Sequence, residues 1–209
     1  MFASLSPAGD GQYKVQVFEQ VEGTELYVSK AGRFNVESYM GWEFLESVIL
    51  PTGIGVPLLS HTQVQTLLGG IGSAKGFDVW IPSNNRASLD WKLTPSFHIT
   101  SSLPVLLNPI KNIAEEIDVI WLDRGSGRPT ALYEIEHSTP IYSGLLRFND
   151  VHLMLPGVNL RFGVVSNDER RALFVRQLER PTFKASGLRD TCTFFEYANV
   201  YGWHERLLS

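Results

Sequence analysis

The chain has 209 residues, of which 44% are hydrophobic and 19% charged, so it can bury the core of one ordinary domain with a small appendage. No apolar run reaches the ~20 residues of a membrane helix, and no basic and apolar leader opens the sequence. The single cysteine, Cys192, excludes an internal disulfide and a cysteine zinc cluster. These features predict a soluble protein of the reducing cytoplasm.

The formal net charge of −4 argues mildly against nucleic acid as a partner, but the imbalance is local. Residues 1–60 hold three basic and seven acidic residues, and the rest of the chain holds fifteen of each. Residues 161–184 are rich in arginine. This run indicates either a local basic face or a solvated helix surface, which is the commoner case.

The N-terminal part is predicted to form a small β meander after a loose start at residues 1–12. Three segments alternate polar and apolar residues and are separated by glycine-containing turns. These segments are residues 13–21, 26–29 and 33–39. Residues 42–50 fit either a helix or a strand, and the Pro/Gly-rich stretch 51–57 is a connector. This part carries no identifiable chemistry, so its expected role is an added β layer or a contact surface.

A capped helix is predicted to begin after Ser60. Ser60 and Gln63 have the spacing of a capping box, and apolar residues then recur at helical spacing. His61 and Gln65 fall on one flank of the apolar stripe. They either project over a neighbouring active site or mark the edge of the buried face. Residues 77–82 then read as a short apolar strand.

A long irregular segment, residues 83–107, follows this strand. Loops of this length are uncommon in compact domains and are often functional. The segment is either a surface crossover or a source of groove and phosphate contacts. The candidate contacts are Asn84, Asn85, Arg86, Lys92 and His98. Asn108 and Pro109 read as the N-cap and first residue of a short helix that ends at Glu116.

Residues 117–137 read as an antiparallel hairpin that carries three acids. Two short runs of β-branched and aromatic residues flank a polar Gly/Pro turn. Opposite residues in an antiparallel pair have a constant index sum, and pairing Asp118 with Glu134 or Glu136 gives 252 or 254. Both sums are even, so either register places all three carboxylates on one face.

Three carboxylates among apolar neighbours are unfavourable unless a cation lies among them. Asp118 and Glu134 are hard oxygen ligands of the kind that Mg²⁺ prefers, and the carbonyl oxygen of Ile135 is a further candidate ligand. Glu136 would position or deprotonate the water that hydrolyses a phosphodiester bond. The alternatives are a solvent-exposed sheet face and a glycosidase pair of acids. His137 alternates to the opposite face, which favours a structural role over metal binding.

Another helix is predicted to begin at Pro140, with Ser138 and Thr139 before it as capping residues. Four residues at helical spacing would face the core. They are Ile141, Leu145, Phe148 and His152. Arg147, on the other side, would either reach a phosphate or pair with Asp150 at i+3.

The rest of the chain alternates strand and helix. Residues 160–166 and 193–197 are predicted strands, and residues 201–208 a short terminal helix. A second capping box, beginning at Ser166, opens a helix that Pro181 ends. From residue 60 the order is helix, three strands, helix, strand, helix, strand. This order indicates an α/β fold in which helices flank a sheet that contains an antiparallel hairpin.

An acid on one strand, followed by Glu-x-Glu on the next and then a helix, resembles the PD-(D/E)XK nuclease superfamily. The αβββαβ core of that superfamily matches residues 60–166 in order. Residues 117–119, Ile-Asp-Val, resemble the first acidic motif without its usual preceding proline. Residues 134–136, Glu-Ile-Glu, resemble the second with glutamate in place of lysine. The longer string 134–147 is similar to a group of prokaryotic restriction-endonuclease-like proteins, in which it follows a His-Thr-x-x-Gln helix like residues 61–65.

The resemblance implies a restriction-endonuclease-like core with a mixed sheet in an α/β domain over residues 57–209, after a β-rich appendage over residues 1–56. It implies that Asp118 and Glu134 bind Mg²⁺, or Mn²⁺ as a substitute, and that Glu136 replaces the lysine. His61 and Gln65 would be auxiliary residues of the same site. The expected contacts to nucleic acid are Asn84, Arg86, Lys92 and Arg147.

The implied activity is cleavage of DNA in a restriction or defence system of the prokaryotic cytoplasm. The implied assembly is a homodimer or one subunit of a larger restriction complex. The alternative is an inactive nuclease-fold module that binds nucleic acid or a partner protein without cutting. Glu136 motivates this alternative, because a carboxylate cannot stabilise a transition-state anion as a cation does.

Overall fold

The computed structural model describes residues 57–138 and 140–208, together with the backbone of three strands within residues 2–29. The chain divides into two compact units, Met1–Ile54 and Gly55–Ser209. Among the described residues, no helix is both long enough and apolar enough to cross a membrane.

The first unit contains an antiparallel sheet with the strand order β1-β2-β3. Its strands are β1 (Phe2–Gly9), β2 (Gln12–Gln20) and β3 (Tyr27–Ser29). The second and third strands confirm the predicted strands at residues 13–21 and 26–29. The predictions for residues 33–39, for 42–50 and for nearly all of 51–57 lie outside the described residues.

The prediction of a loose start at residues 1–12 is wrong, because β1 pairs with β2 from Phe2 onward. Glycine, serine and proline have low strand propensity, but strand propensity depends on the partner that a strand finds. Asp10 and Gly11 between the two strands are the dipeptide that favours a tight hairpin, and this signal outweighs composition.

The second unit is built on a five-stranded mixed sheet with the order β4-β5-β6-β7-β8. β5 pairs antiparallel with both β4 and β6. β7 pairs parallel with both β6 and β8. The strands are β4 (Phe77–Trp80), β5 (Val119–Asp123), β6 (Pro129–Ile135), β7 (Arg161–Ser166) and β8 (Cys192–Glu196).

Helices flank this sheet, and their order along the chain is the predicted one with one short helix added. They are α1 (His61–Ala74), α2 (Lys111–Ala114), α3 (Ile141–Met154), α4 (Arg171–Leu178), α5 (Pro181–Ser186) and α6 (Tyr197–Leu208). The predicted α/β fold class is confirmed, and the arrangement is consistent with a restriction-endonuclease-like core.

The hairpin has the register with an index sum of 252, the first of the two registers considered above. Val119 lies opposite Tyr133 and Trp121 opposite Ala131, so the index sum is 252 until an irregularity after Trp121. The same sum places Asp118, immediately before β5, beside Glu134. The hairpin therefore brings two of the predicted acids together.

Helix α1 begins at the predicted capping box. The Ser60 hydroxyl accepts a hydrogen bond from the Gln63 amide at 3.3 Å, and Gln63 Oε1 accepts one from the Ser60 amide at 2.9 Å. Later in the helix, the Trp121 indole N–H donates to the Leu68 carbonyl oxygen at 3.0 Å. A Cβ at Gly72 would lie 2.5 Å from that indole nitrogen, so glycine lets α1 pack closely on β5. This contact packs the second half of α1 on the middle of β5.

Three predicted helix signals are corrected by the structure. Asn108 is not an N-cap, because residues Val105–Ile110 form a 3₁₀ helix that begins after Pro104. Pro109 lies within that helix and cannot donate a backbone hydrogen bond, which separates it from α2. Pro140 is the N-cap of α3 and not its first residue, and Thr139 lies outside the described residues.

The second predicted capping box, at Ser166, is also wrong. The Ser166 hydroxyl donates to the Glu136 carbonyl oxygen, and α4 begins only at Arg171 after a 3₁₀ turn. Pro181 does not end this helix, since α4 stops at Leu178. Pro181 instead occupies the first turn of α5, where its missing N–H is tolerated.

The main core lies between the sheet and α3. The predicted core residues Ile141, Leu145 and Phe148 are buried there. His152 is half-buried, and its Nε2 lies 2.9 Å from the Ser186 carbonyl oxygen. The predicted core face of α3 is therefore confirmed, which also fixes the direction of the opposite face.

His204, on α6, is buried and makes the stability of the fold sensitive to acid. Its side chain is almost fully enclosed, Nδ1 is 3.5 Å from Glu205 Oε1, and neither ring nitrogen has a good hydrogen bond within the described chain. Burial lowers the pKa of His204, while Glu205 opposes this effect. The unfolded chain therefore takes up a proton that the folded chain resists.

We expect wild type to lose stability relative to His204→Gln as the pH falls below about 6.5 and towards the lowered native pKa. The difference grows by up to ~1.4 kcal/mol for each unit between the two pKa values. Urea unfolding of both proteins at pH 7.5 and pH 5 measures it. Parallel pH profiles for the two proteins would contradict the expectation.

Candidate active site

A cleft of about 330 Å³ lies where β5 begins and β6 ends, beside the first turns of α1 and α3. The cleft contains the three predicted acids and several of the residues predicted to assist them. It is lined by His61, Asp118, Glu134, Ile135, Glu136, His137, Ser138 and Arg147. The hairpin and the two helices thus place in one concavity residues that the sequence separates by more than eighty positions.

Asp118 is held from both sides by backbone and by α1. Its Oδ2 accepts a hydrogen bond from the Ile135 amide at 2.8 Å, and its Oδ1 lies 3.1 Å from His61 Nε2. Gln65 Nε2 donates to the Asp118 carbonyl oxygen at 2.7 Å. His61 and Gln65 are therefore not simply residues at the edge of the buried face. The hydrogen bond to Asp118 and the surrounding carboxylates raise the pKa of His61, against the effect of burial.

Glu134 is 1% exposed and forms a bidentate pair with Arg147. Nε of the arginine is 2.7 Å from Oε1, and Nη2 is 2.8 Å from Oε2. Burial raises the pKa of Glu134 to about 8, although Arg147 opposes the rise, and the charges of Asp118 and Glu136 add to it. Arg147 thus contacts Glu134 and not Asp150, the partner that the i+3 spacing suggested.

Glu136 lies one residue beyond β6 and is 2% exposed. A Cβ at Gly144, on α3, would lie 2.9 Å from Glu136 Oε1 and 3.2 Å from Glu134 Cγ. Glycine at this position therefore allows the backbone of α3 to approach both carboxylates. Burial of these two acids excludes the alternative of a solvent-exposed sheet face.

His137 lines the same cleft, although strand alternation had assigned it to the opposite face. The alternation fails because β6 ends at Ile135, two residues earlier. Its Nδ1 lies 2.7 Å from the Tyr197 hydroxyl, and burial lowers its pKa. Its Nε2 has no hydrogen-bond partner among the residues that the structure describes. Tyr197 comes from the start of α6, and no sequence signal linked it to this site.

The predicted contacts in the 83–107 segment do not line this cleft. Arg86 donates from Nε to the Ile81 carbonyl oxygen at 2.8 Å, and its guanidinium lies over the Trp80 ring. Asn84 lies in a turn, and Lys92 is exposed. Arg86 therefore supports its own loop, and contacts of this segment with nucleic acid remain a prediction.

Two of the basic residues in the run at 161–184 are paired with acids. Arg171 pairs with Asp168 and Glu196, and Lys184 pairs with Glu179. This pairing favours a solvated surface over a continuous basic face.

The donor set of the cleft is chemically that of a hard divalent cation site, with three carboxylates and the Ile135 carbonyl close together. In their present positions, no three His, Cys, Asp or Glu side chains of the described chain are grouped to hold an ion. The reason is visible at Glu134, whose two oxygens both face Arg147. The buried Gln65 Oε1 has no hydrogen-bond partner among the described residues. The Nε2 atom of the same side chain donates to the Asp118 carbonyl oxygen. The donor types therefore suit a hard cation, but Glu134 would have to turn from Arg147 before it could serve as a ligand.

Comparisons with known proteins identify the family of this chain. The type II restriction enzyme NmeDI of Neisseria meningitidis serogroup C is 33% identical over an alignment of 136 residues. The alignment covers 59% of this chain and 37% of that enzyme. The chain thus matches little more than a third of this relative. No solved structure matches. A family model described as the C-terminal domain of type II restriction enzyme NmeDI matches residues 58–205. Because that match covers well over half of the sequence, the chain belongs to the NmeDI C-terminal domain family.

Proposed function

We propose that this chain is a Mg²⁺-dependent endonuclease of the restriction type that hydrolyses phosphodiester bonds in DNA. The observation that carries the proposal is the convergence of Asp118, Glu134 and Glu136 in one cleft, two of them fully buried. Membership of a restriction-enzyme family supports the class of reaction. The element order and the acid spacing further support placement in the PD-(D/E)XK superfamily, with glutamate at the lysine position.

In this proposal Asp118 and Glu134 hold the ion, together with the carbonyl oxygen of Ile135. When bound, Mg²⁺ supplies charge neutralisation at the scissile phosphate and lowers the pKa of the attacking water. Glu136, which lines the same cleft, would position or deprotonate that water. His61 and Gln65 keep Asp118 in place through the contacts at 3.1 and 2.7 Å.

The test is incubation of the purified chain with DNA that contains many different sequences, in the presence of Mg²⁺ or Mn²⁺. We expect cleavage that stops in EDTA and in Asp118→Ala. Glu169→Gln is the matched control, because Glu169 is an exposed acid that does not line the cleft. Equal background cleavage by wild type and Asp118→Ala would refute the proposal.

A second candidate is a nuclease-fold module that binds nucleic acid or a partner protein without cutting. The bidentate pair of Arg147 with Glu134 favours it, since the pair fills the position of one proposed ligand. Calorimetric titration with Mg²⁺ and Mn²⁺ separates the two candidates. Heat of binding that depends on Asp118 supports the enzyme, and its absence supports the binding module.

The assembly that would act on DNA is also a proposal. A homodimer suits a palindromic site, because two copies then meet equivalent half-sites. The match to 37% of the NmeDI enzyme also suits a chain that works within a larger restriction complex. Sedimentation of the chain with and without DNA distinguishes a monomer from a dimer.

A further inference from the structure

Arg147 is the one lysine or arginine among the cleft residues of the described chain. The same cleft contains three acids, two of them almost fully buried, and their carboxylates give it a negative potential. Such a potential repels a phosphodiester, which is an anion. Any phosphate that approaches these acids therefore needs a compensating cation supplied by the protein, besides a bound metal.

The guanidinium of Arg147 has donors that remain available to such an anion. It carries five N–H groups, and only Nε and Nη2 are directed at Glu134. Nη1 lies 3.6 Å from Glu116 Oε2, and the Glu116 side chain is 69% exposed against 23% for Arg147. A long pair with an exposed acid is weak. Nη1 therefore has one long contact, to an exposed acid, and is not directed at Glu134.

The position of Arg147 on α3 explains how it reaches the acids. It follows Gly144 by three residues, so both lie on one face of the helix. The lack of a side chain at Gly144 lets this face approach Glu134 and Glu136 closely. Arg147 therefore reaches Glu134 from the helix. It brings a positive charge into a cleft where residue 136 is a glutamate and supplies none.

We infer that Arg147 binds the substrate phosphate in this cleft and supplies from α3 the positive charge that position 136 lacks. The inference rests on the proposed function for its substrate, a DNA phosphodiester. Arginine suits this role because its guanidinium is always charged and its planar fork matches phosphate oxygens, and Nη1 is not directed at Glu134 whether or not that carboxylate turns to an ion.

The first measurement is DNA binding without cleavage, with Ca²⁺ in place of Mg²⁺ and a fluorescent duplex. Each phosphate contact contributes about 0.9 to the slope of log affinity against log salt concentration. We expect Arg147→Ala to weaken binding and to lower that slope by about 0.9. Arg176→Ala is the control, because Arg176 is exposed on α4 and does not line the cleft. A purely structural role for Arg147 leaves the slope unchanged.

The second measurement is the cleavage rate with Mg²⁺. Loss of a preorganised charge at the reacting phosphate slows catalysis by about 10²–10³-fold. We expect this loss in Arg147→Ala, partial activity in Arg147→Lys, and partial recovery of Arg147→Ala when guanidinium ion is added at low millimolar concentration. If Arg147→Ala does not fold, Arg147→Gln replaces it, since its amide still donates to Glu134.

The outcomes separate this inference from the proposed function. If wild type cuts DNA and Arg147→Ala cuts equally fast, the inference is overturned and the nuclease remains. If wild type binds but does not cut, a fall in the salt slope for Arg147→Ala supports phosphate binding while the proposed function fails. An unchanged slope overturns the inference in either case. A chain that binds no duplex overturns both.

Discussion

Replacement of Glu134 by glutamine is expected to reduce DNA cleavage by more than about 100-fold, since loss of even an outer partner of a metal ligand costs about 10–100-fold. Glu134 is the more central group, because it is a proposed ligand itself. Glutamine keeps the shape of the side chain but lacks the charge that a divalent cation requires. The loss therefore reports on charge and not on packing.

The same substitution is expected not to lower the free energy of unfolding by more than ~1 kcal/mol, because burial already disfavours the charged form of Glu134 and glutamine keeps an oxygen that can accept from Arg147. Arg147 loses an ionic partner but is partly exposed and stays near Glu116. Thermal and urea unfolding in EDTA measure the stability. Cleavage by Glu134→Gln at the wild-type rate would show that Glu134 is not a metal ligand.

The pH dependence of that stability gives a second check on Glu134. Its pKa is about 8 in the folded chain against 4.5 for an ordinary glutamate, so the folded state holds a proton more tightly. Wild type therefore loses stability as the pH rises from about 4.5 to about 8, and Glu134→Gln lacks this loss. Glu116→Gln is the matched control, because Glu116 also contacts Arg147 but is exposed.

Replacement of Trp121 by alanine is expected to lower the free energy of unfolding by about 3–5 kcal/mol, the usual range for a large buried aromatic residue. Trp121 is 1% exposed, and its ring centroid lies 4.8 to 5.5 Å from those of three aromatic neighbours. These neighbours are Phe77, Tyr133 and Trp203. The substitution also removes the hydrogen bond to Leu68, so α1 loses its main polar contact with β5.

For a chain of this size, that loss lowers the melting temperature by roughly 6–20 °C. Trp91→Ala is the matched control, because Trp91 is 43% exposed and its ring lies tilted against that of Phe97. We expect it to cost less than about 1 kcal/mol, as most surface substitutions do. Equal destabilisation by the two variants would show that Trp121 does not anchor α1.

The sequence was sufficient for features that follow from local rules. Parity of the index sum alone predicts Asp118, Glu134 and Glu136 on one face, and the observed sum of 252 is one of the two expected. The capping box at Ser60 predicted both the start of α1 and the shared flank of His61 and Gln65. Such rules involve only neighbours within a few residues or directly across a hairpin.

The sequence was insufficient where a distant partner competes with a local one. Arg147 had Asp150 at i+3, but the packing of α3 on the sheet offers it Glu134, thirteen residues earlier. Ser166 had the spacing of a cap, but its hydroxyl donates to the carbonyl oxygen of Glu136, thirty residues away. In both cases the partner depends on how elements pack on the sheet, and a local pattern contains no information on that.

The three acids lie in one hairpin and Arg147 lies on the helix that follows it. This arrangement has a consequence for how the molecule folds. The Asp118–Ile135 and Glu134–Arg147 contacts span 17 and 13 positions, so they close short loops. Contacts of short sequence separation form faster than distant ones, because less chain entropy is lost beforehand. Gln65 contacts Asp118 across 53 positions, so docking of α1 closes a longer loop. We therefore expect the cleft to reach its final shape when α1 docks, after the contacts among Asp118, Ile135, Glu134 and Arg147 have formed.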